Sequence, residues 1–296
     1  MTLSRRRFLA ISAAMLGAGP ARSAATPARW RGVALGAEAE ITIHGPGAER
    51  ALAEALALVR AVEAEFSLYD PGSALSRLNR AGRLAPSPTF AELLGLVDRV
   101  HAATGGAFDP TVQPLWEALA RGGSLGPARA AVGWERVRLG GGEVRLGAGQ
   151  ALTFNGIAQG FATDAVADML EARGFVRALV DIGEHRALGG PWRVGLADPV
   201  AGYLGTRTLD MGAIATSSPD ALRLGLEGHI LDPRGGRGTR WSTVSVEATR
   251  AAIADAVSTG CCLLDLAQIG AVMRRLPEIS AVTLVDADGN LRSLRA

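Results

Sequence analysis

Residues 151–183 read ALTFNGIAQGFATDAVADMLEARGFVRALVDIG, and the fold turns on how this stretch is built. A short apolar run, Ala151 to Phe154, meets an Asn155-Gly156 turn. Helical spacing then runs to about Arg173, and Gly174 stops it, because glycine takes the left-handed conformation that ends helices. "VRALVDIG" follows as a buried strand. Strand, helix and strand in this order predict a right-handed crossover between parallel strands. Further strands are expected at "AEITI" (39–43), "WRVGLADP", "TRTLDMGAIAT", "HILDP" and "STVSVEA". Leu52, Leu56, Val59, Val62 and Phe66 mark one amphipathic helix in "AERALAEALALVRAVEAEF". A second covers 89–103 with Ser87 or Thr89 as cap, and a third lies in "AAIADAVSTGCCLLD". Residues 122–149 are glycine-rich, with turns and short strands. Strands grouped around fewer helices predict an α+β fold, one domain over residues 26–296 with a mixed β-sheet and flanking helices.

Residues 1–25 are set apart from that domain. Arg5, Arg6 and Arg7 precede an apolar run from Phe8 to Ala18 and small residues around Ser23, Ala24 and Ala25. The pattern predicts a twin-arginine signal peptide and a periplasmic destination. The apolar run is short for a bilayer span, and no later run is long or apolar enough, so an integral membrane protein is not expected. Four arginines and no acid lie in this segment, so its removal takes the net charge from +2 to −2. That balance excludes a basic nucleic-acid binder. Every one of the 31 basic residues is arginine. Without lysine, Walker-type phosphate loops and Schiff-base chemistry are excluded. Cys261 and Cys262 are adjacent and cannot form an ordinary disulfide with each other.

Three stretches carry chemistry. "NGIAQGFATD" (155–164) opens a helix with two glycines, which suits either an anion site of backbone N–H groups or a plain tight turn. "GHILDPRGG" (228–236) places His229 near Asp232 and Arg234, although alternation along a strand need not pair the histidine with Asp232. "ADAVSTG" (254–260) puts Asp255 and Thr259 on one helical face, where a carboxylate and a hydroxyl suit a hard cation such as Mg²⁺. Asp255 is otherwise a helix-start acid near the favourable dipole end.

Taken in order, "EAEFSLYDPGSALSRLN", "GGAFDPTVQPLW", "NGIAQGFATD", "VDIGEHRALG", "AIATSS", "HILDPRGG" and "ADAVSTG" resemble the ApbE family, the FAD:protein FMN transferases. The wording is nearest to exported NosX-type members. The resemblance implies an enzyme that binds FAD and Mg²⁺, cleaves the diphosphate with release of AMP, and joins FMN by a phosphoester to a Thr or Ser of an acceptor flavoprotein. The acceptor it implies is a membrane-anchored respiratory protein. It implies that His229 is the catalytic base, with Ile230 beside it, and that Tyr69 packs on the flavin. Ala107, Phe108 and Asp109 would line the FAD site. Gly156 would offer a backbone carbonyl to the metal, and Asp255 and Thr259 their side chains, with Ser258 close by. Three positions depart from the family pattern. Leu35-Gly36-Ala37 stands for Met-Gly-Thr, Thr153 for an aspartate, and Gln159 for a lysine. The last two changes remove one charge of each sign. Two other readings use the same residues: an FAD pyrophosphatase that gives FMN and AMP, and a non-catalytic FAD-binding maturation partner.

Overall fold

The computed structural model describes residues 26–296 except 226 and 237. The expected signal peptide lies outside the described residues. The main sheet has eight strands: β1 (Ala28–Ala34), β2 (Ala37–Ile43), β3 (Ala178–Ile182), β4 (His185–Leu188), β5 (Gly212–Ser217), β6 (Thr243–Ala248), β7 (Ile279–Val285) and β8 (Leu291–Arg295). They lie side by side in that order. Each neighbouring pair is antiparallel. The α+β class stands, but the expected mixed sheet and its parallel crossover do not.

The reason lies in Ala151 to Phe154, which joins no ladder. Its backbone polar groups are satisfied elsewhere. The Asn79 amide accepts from Leu152 N–H at 2.8 Å and donates to Leu152 C=O at 2.8 Å. Thr153 N–H donates to Pro110 C=O at 2.9 Å. A buried backbone needs partners, and a loop supplies them here as well as a strand would. Two other readings change. "HILDP" is irregular, with only Glu227–Gly228 before it paired to a neighbour. "TRTLDMGAIAT" is split at Asp210 and Met211 between β5 and a hairpin strand, Gly202–Leu209.

Four helices position the site: α1 (Ala48–Phe66), α2 (Pro88–Thr104), α3 (Ala158–Ala172) and α4 (Ala251–Cys261). The Ser87 hydroxyl caps α2, accepting from Phe90 N–H at 3.0 Å. Gly174, at φ 83°, ends the turn after α3 as expected. Alternation sorts each strand's side chains to two faces. Ile41, Val180, Ile182 and Val246 join the helices in the main core. On the opposite face Leu179, Ala187 and Ile214 pack under Trp192, Val194 and Leu196 of the hairpin Trp192–Asp198 and Gly202–Leu209. Cys261 and Cys262 are buried free thiols in the core. No described helix is long and apolar enough to cross a membrane.

Candidate functional site

Four phenylalanines set the start of α3. Phe66 of α1, Phe90 of α2, and Phe154 and Phe161 on either side of the Asn155-Gly156 turn form a cluster with ring centroids 5.4 to 5.6 Å apart. Tilted and edge-on aromatic pairs are favourable beyond their buried area, so the turn is held from both sides. The second glycine of the motif, Gly160, has a packing role. A methyl group there would collide with the Ala251 carbonyl at the start of α4. Only glycine lets the two helices approach this closely.

The beginning of α3 is also less open to anions than its sequence suggests. Ile157 and Ala158 N–H donate to Phe154 C=O at 3.0 and 2.8 Å. Asn155 N–H donates to the Thr153 hydroxyl at 3.2 Å. Gly160 N–H donates to Asp255 Oδ2 at 3.0 Å. The anion at this helix start is therefore supplied by the protein, from α4. Asp255 is not a helix-start residue; it is the fifth residue of α4 and 3 % exposed. Burial pushes its carboxyl up to about 7; nearby Asp164 raises it too, while the Gly160 N–H works the other way. Glu184, just past β3, lies in the same place: burial and then the Asp255 charge hold its carboxyl well above the usual carboxylate range. Its Oε2 accepts from Thr216 N–H at 3.1 Å.

Thr259, one turn beyond Asp255, meets the turn before α3. The position of a Cβ on Gly156 lies 2.8 Å from Thr259 Oγ1. Ser258 is fully buried behind it and donates to Asp255 C=O at 2.9 Å. Ser217, at the end of β5, lies 2.7 Å from the Ser258 hydroxyl and 3.2 Å from that of Thr259. Asp255, Thr259, Gly156 and Glu184 line one open cleft of about 2930 Å³. His229 and Ile230 border it from a separate stretch. The His229 Nδ1 lies 2.8 Å from Pro219 C=O and 3.3 Å from Leu222 C=O. Carbonyls only accept, so Nδ1 carries the proton and the neutral ring keeps a lone pair on Nε2. Burial lowers the histidine's affinity for a second proton, outweighing the two carbonyls. Asp232 is engaged with Arg234 instead, at 3.0 Å.

The remaining predicted positions border the same cleft with differing freedom. Tyr69 stands on the rim, 78 % exposed. Ala107, Phe108 and Asp109 are buried wall. The Asp109 carboxylate is turned inward, accepting from Thr111 N–H and hydroxyl at 2.8 and 2.6 Å and from Trp134 N–H at 3.2 Å. Thr153, Leu35 and Gln159 also border the cleft. Ser258 does not border it.

Residues 35–283 match the profile of the ApbE family. The chain belongs to the ApbE family. It is 27 % identical to the FAD:protein FMN transferase of Salmonella typhimurium, over 98 % of this chain and 94 % of that one. The FAD:protein FMN transferase of Escherichia coli K12 is also 27 % identical, over 76 % and 73 %. Among solved structures, the flavin transferase ApbE of Vibrio cholerae superposes with a TM-score of 0.76 at 25 % identity, over 91 % of this chain and 97 % of that one. The apo flavinyl transferase ApbE of Pseudomonas stutzeri gives 0.77 at 25 % identity, over 91 % and 94 %.

Set in this ApbE-family chain, two of the three departures touch. The Gln159 amide donates to Leu35 C=O at 3.3 Å and lies against Gly183. Leu35 takes a left-handed backbone, φ 48°, and its N–H donates to Glu63 at 2.8 Å. Thr153 is held instead by Pro110 and Asn155. Glu184 and Ser217 are site residues that residue-by-residue reading missed. Both lie in stretches that carry the family resemblance, "VDIGEHRALG" and "AIATSS", and an acid just past a buried strand was the available signal for Glu184.

Proposed function

We propose that the chain is an Mg²⁺-dependent FAD:protein FMN transferase that releases AMP. The observation carrying this reading is the convergence of Asp255 and Thr259 of α4, Gly156 of the turn before α3, and His229 of a third stretch on one cleft. Mg²⁺ fits the donor set: a buried carboxylate, a hydroxyl and a backbone carbonyl are hard oxygen ligands, and two crowded acids, Asp255 and Glu184, want positive charge. Among the described residues no three His, Cys, Asp or Glu gather as a metal cluster. The remaining ligands would therefore be water and diphosphate oxygens, as is usual for Mg²⁺. When bound, the ion would neutralise charge on the diphosphate, a task no lysine of this chain can take.

The chain's own residues then have defined work. His229 Nε2 accepts the proton of the acceptor Thr or Ser hydroxyl as its oxygen bonds to the FMN phosphorus and the bond to AMP breaks. Tyr69 offers a ring at the rim for the flavin, and Ala107 and Phe108 form its wall. Asp109 holds that wall through Thr111 and Trp134. A cleft of about 2930 Å³ exceeds the ~300–1,000 Å³ of most small-molecule sites, which leaves room for a segment of the acceptor flavoprotein. We place the enzyme in the periplasm, on the arginine-led apolar leader, with a membrane-anchored respiratory flavoprotein as acceptor; fractionation of the tagged full chain tests the compartment.

The test of the reaction is mass spectrometry of an acceptor domain incubated with the protein, FAD and Mg²⁺. Transfer predicts an acceptor heavier by FMN together with free AMP. Free FMN and AMP without the adduct would mean a pyrophosphatase. Intact FAD would mean a binding partner.

A further inference from the structure

The two helices at the site exchange carboxylates. Asp255 of α4 accepts from Gly160 N–H of α3, and Asp164 of α3 accepts from Ala251 and Ala252 N–H at the start of α4, at 2.9 and 3.0 Å. The residue at the α4 N-cap position is Arg250, which offers no acceptor to its own helix. Asp164 takes over that role from a neighbouring element. It is 1 % exposed and is held in turn by Arg186 of β4 at 2.7 Å and Arg250 at 3.2 Å. Both arginines also reach Asp168, at 2.8 Å each, but Asp168 is on the surface side of the pair. One buried carboxylate thus fixes three stretches: the helix after the glycine turn, the strand after Glu184, and the helix bearing Asp255 and Thr259.

We propose that Asp164 is a positioning residue for the reaction: it sets where α4 stands along α3, and so brings Asp255 and Thr259 up to Gly156. The proposal rests on the assignment of Asp255 and Thr259 as cation ligands. Asp164 is buried and does not border the cleft. Its charge alone is not enough. The carboxylate must meet two N–H groups and two guanidinium groups from one place, and a side chain one methylene longer cannot do so without moving α4.

The experiment uses the full chain and compares Asp164→Asn, Asp164→Glu and Asp168→Asn. Mn²⁺ binding with FAD present is followed by paramagnetic resonance, and amide exchange is followed at Gly160, Ala251 and Ala252. Thermal stability is recorded in parallel. Asp164→Asn and Asp164→Glu are expected to weaken Mn²⁺ binding at least tenfold and to expose Gly160 N–H to exchange. Asp168→Asn, which loosens the same arginines but removes no acceptor from an α4 N–H, is expected to stay within twofold of the parent on both readouts. A merely structural ion-pair network would lower the melting temperature in all three and move neither readout selectively. If Asp164→Asn does not fold, Asp164→Glu decides, since it retains the charge for both arginines. Parent-like Mn²⁺ binding and Gly160 protection in Asp164→Glu would overturn the proposal. If the parent protein binds no Mn²⁺, the cation reading itself fails, and exchange at Gly160 alone still decides whether Asp164 positions α4.

Discussion

Asp255 and His229 face the same cleft from unlike supports. Asp255 stands in mid-helix, and its carboxylate is bonded to a second helix far away in sequence. Around it lie Ser258, Gly160 and Asp164, all buried. His229 follows a two-residue strand, and its ring is held by carbonyls ten and seven residues earlier in the chain. One wall is therefore part of the core, and its chemistry is tied to helix packing. The other is a locally folded stretch whose histidine is held by carbonyls of its own neighbourhood. The difference separates two kinds of mutant: those in the helical wall should alter stability and function together, and those around His229 should alter function alone.

The largest effect should come from the loop. His229→Ala is expected to lower FMN transfer by ~10²–10⁴-fold, the usual contribution of a positioned base. FAD binding and melting temperature should hardly move. A large loss of stability in this variant would erase the contrast between the two walls. On the helical wall, Asp255→Asn should raise the Mg²⁺ concentration needed for half-maximal transfer by about tenfold or more, because a neutral amide attracts a hard cation poorly. The same change should raise the melting temperature of the metal-free protein, since a buried charge is replaced by a group that still accepts from Gly160. Titration of Mg²⁺ alongside thermal melts checks both halves.

Packing should then show its own effect without any change of charge. Gly160→Ala forces a methyl against the Ala251 carbonyl, and overpacking of this kind costs ~1–3 kcal/mol. Denaturant unfolding measures the loss, and a neutral result would mean that α3 and α4 can part freely.

The pH profile sharpens the loop side. Burial lowers the His229 pKa below the ordinary 6.5, so the free base is already the main form at neutral pH. At saturating Mg²⁺, which would hold Asp255 ionised, transfer should fall as pH drops through the lowered His229 pKa, with that limb missing in His229→Ala. The smallest effect is expected at Asp232. Asp232→Asn removes its charge pairing with Arg234 and should leave the acid limb in place, whereas a shift of the limb would make Asp232 the partner of the histidine.

Periodicity made the helices legible. The leucine and valine spacing of α1, and the Asp255/Thr259 pair of α4, are consequences of 3.6 residues per turn and need no partner to be seen. The extended segments were harder. "ALTF" has the composition of a strand, yet its hydrogen bonds go to Asn79 and Pro110, and no local pattern reveals partners so far away in sequence. The same limit hid the inward turn of the glycine motif. Two glycines before a helix signal close approach, and only the fold shows that Ala251 and Asp255, not a phosphate, are what approach Gly160. Around His229 the residues were readable, but the element was not, because a histidine bonded to carbonyls looks the same in sequence as one on a strand.

The register of β2 against β3 bears on how the molecule comes to be folded. Ala39 is opposite Ile182 and Ile43 opposite Ala178, so residues 44–177 must close as one excursion before these strands can meet. Closing so long a stretch is an entropic cost met before any ladder bond forms there. Folding dominated by such distant pairings is slow, on the order of milliseconds to seconds. Until then β1 and β2 form at best a lone hairpin, which is marginal by itself in water. β1 and β2 are thus expected to wait until residues 178–182 are available, and refolding followed at β2 should show it docking only with β3.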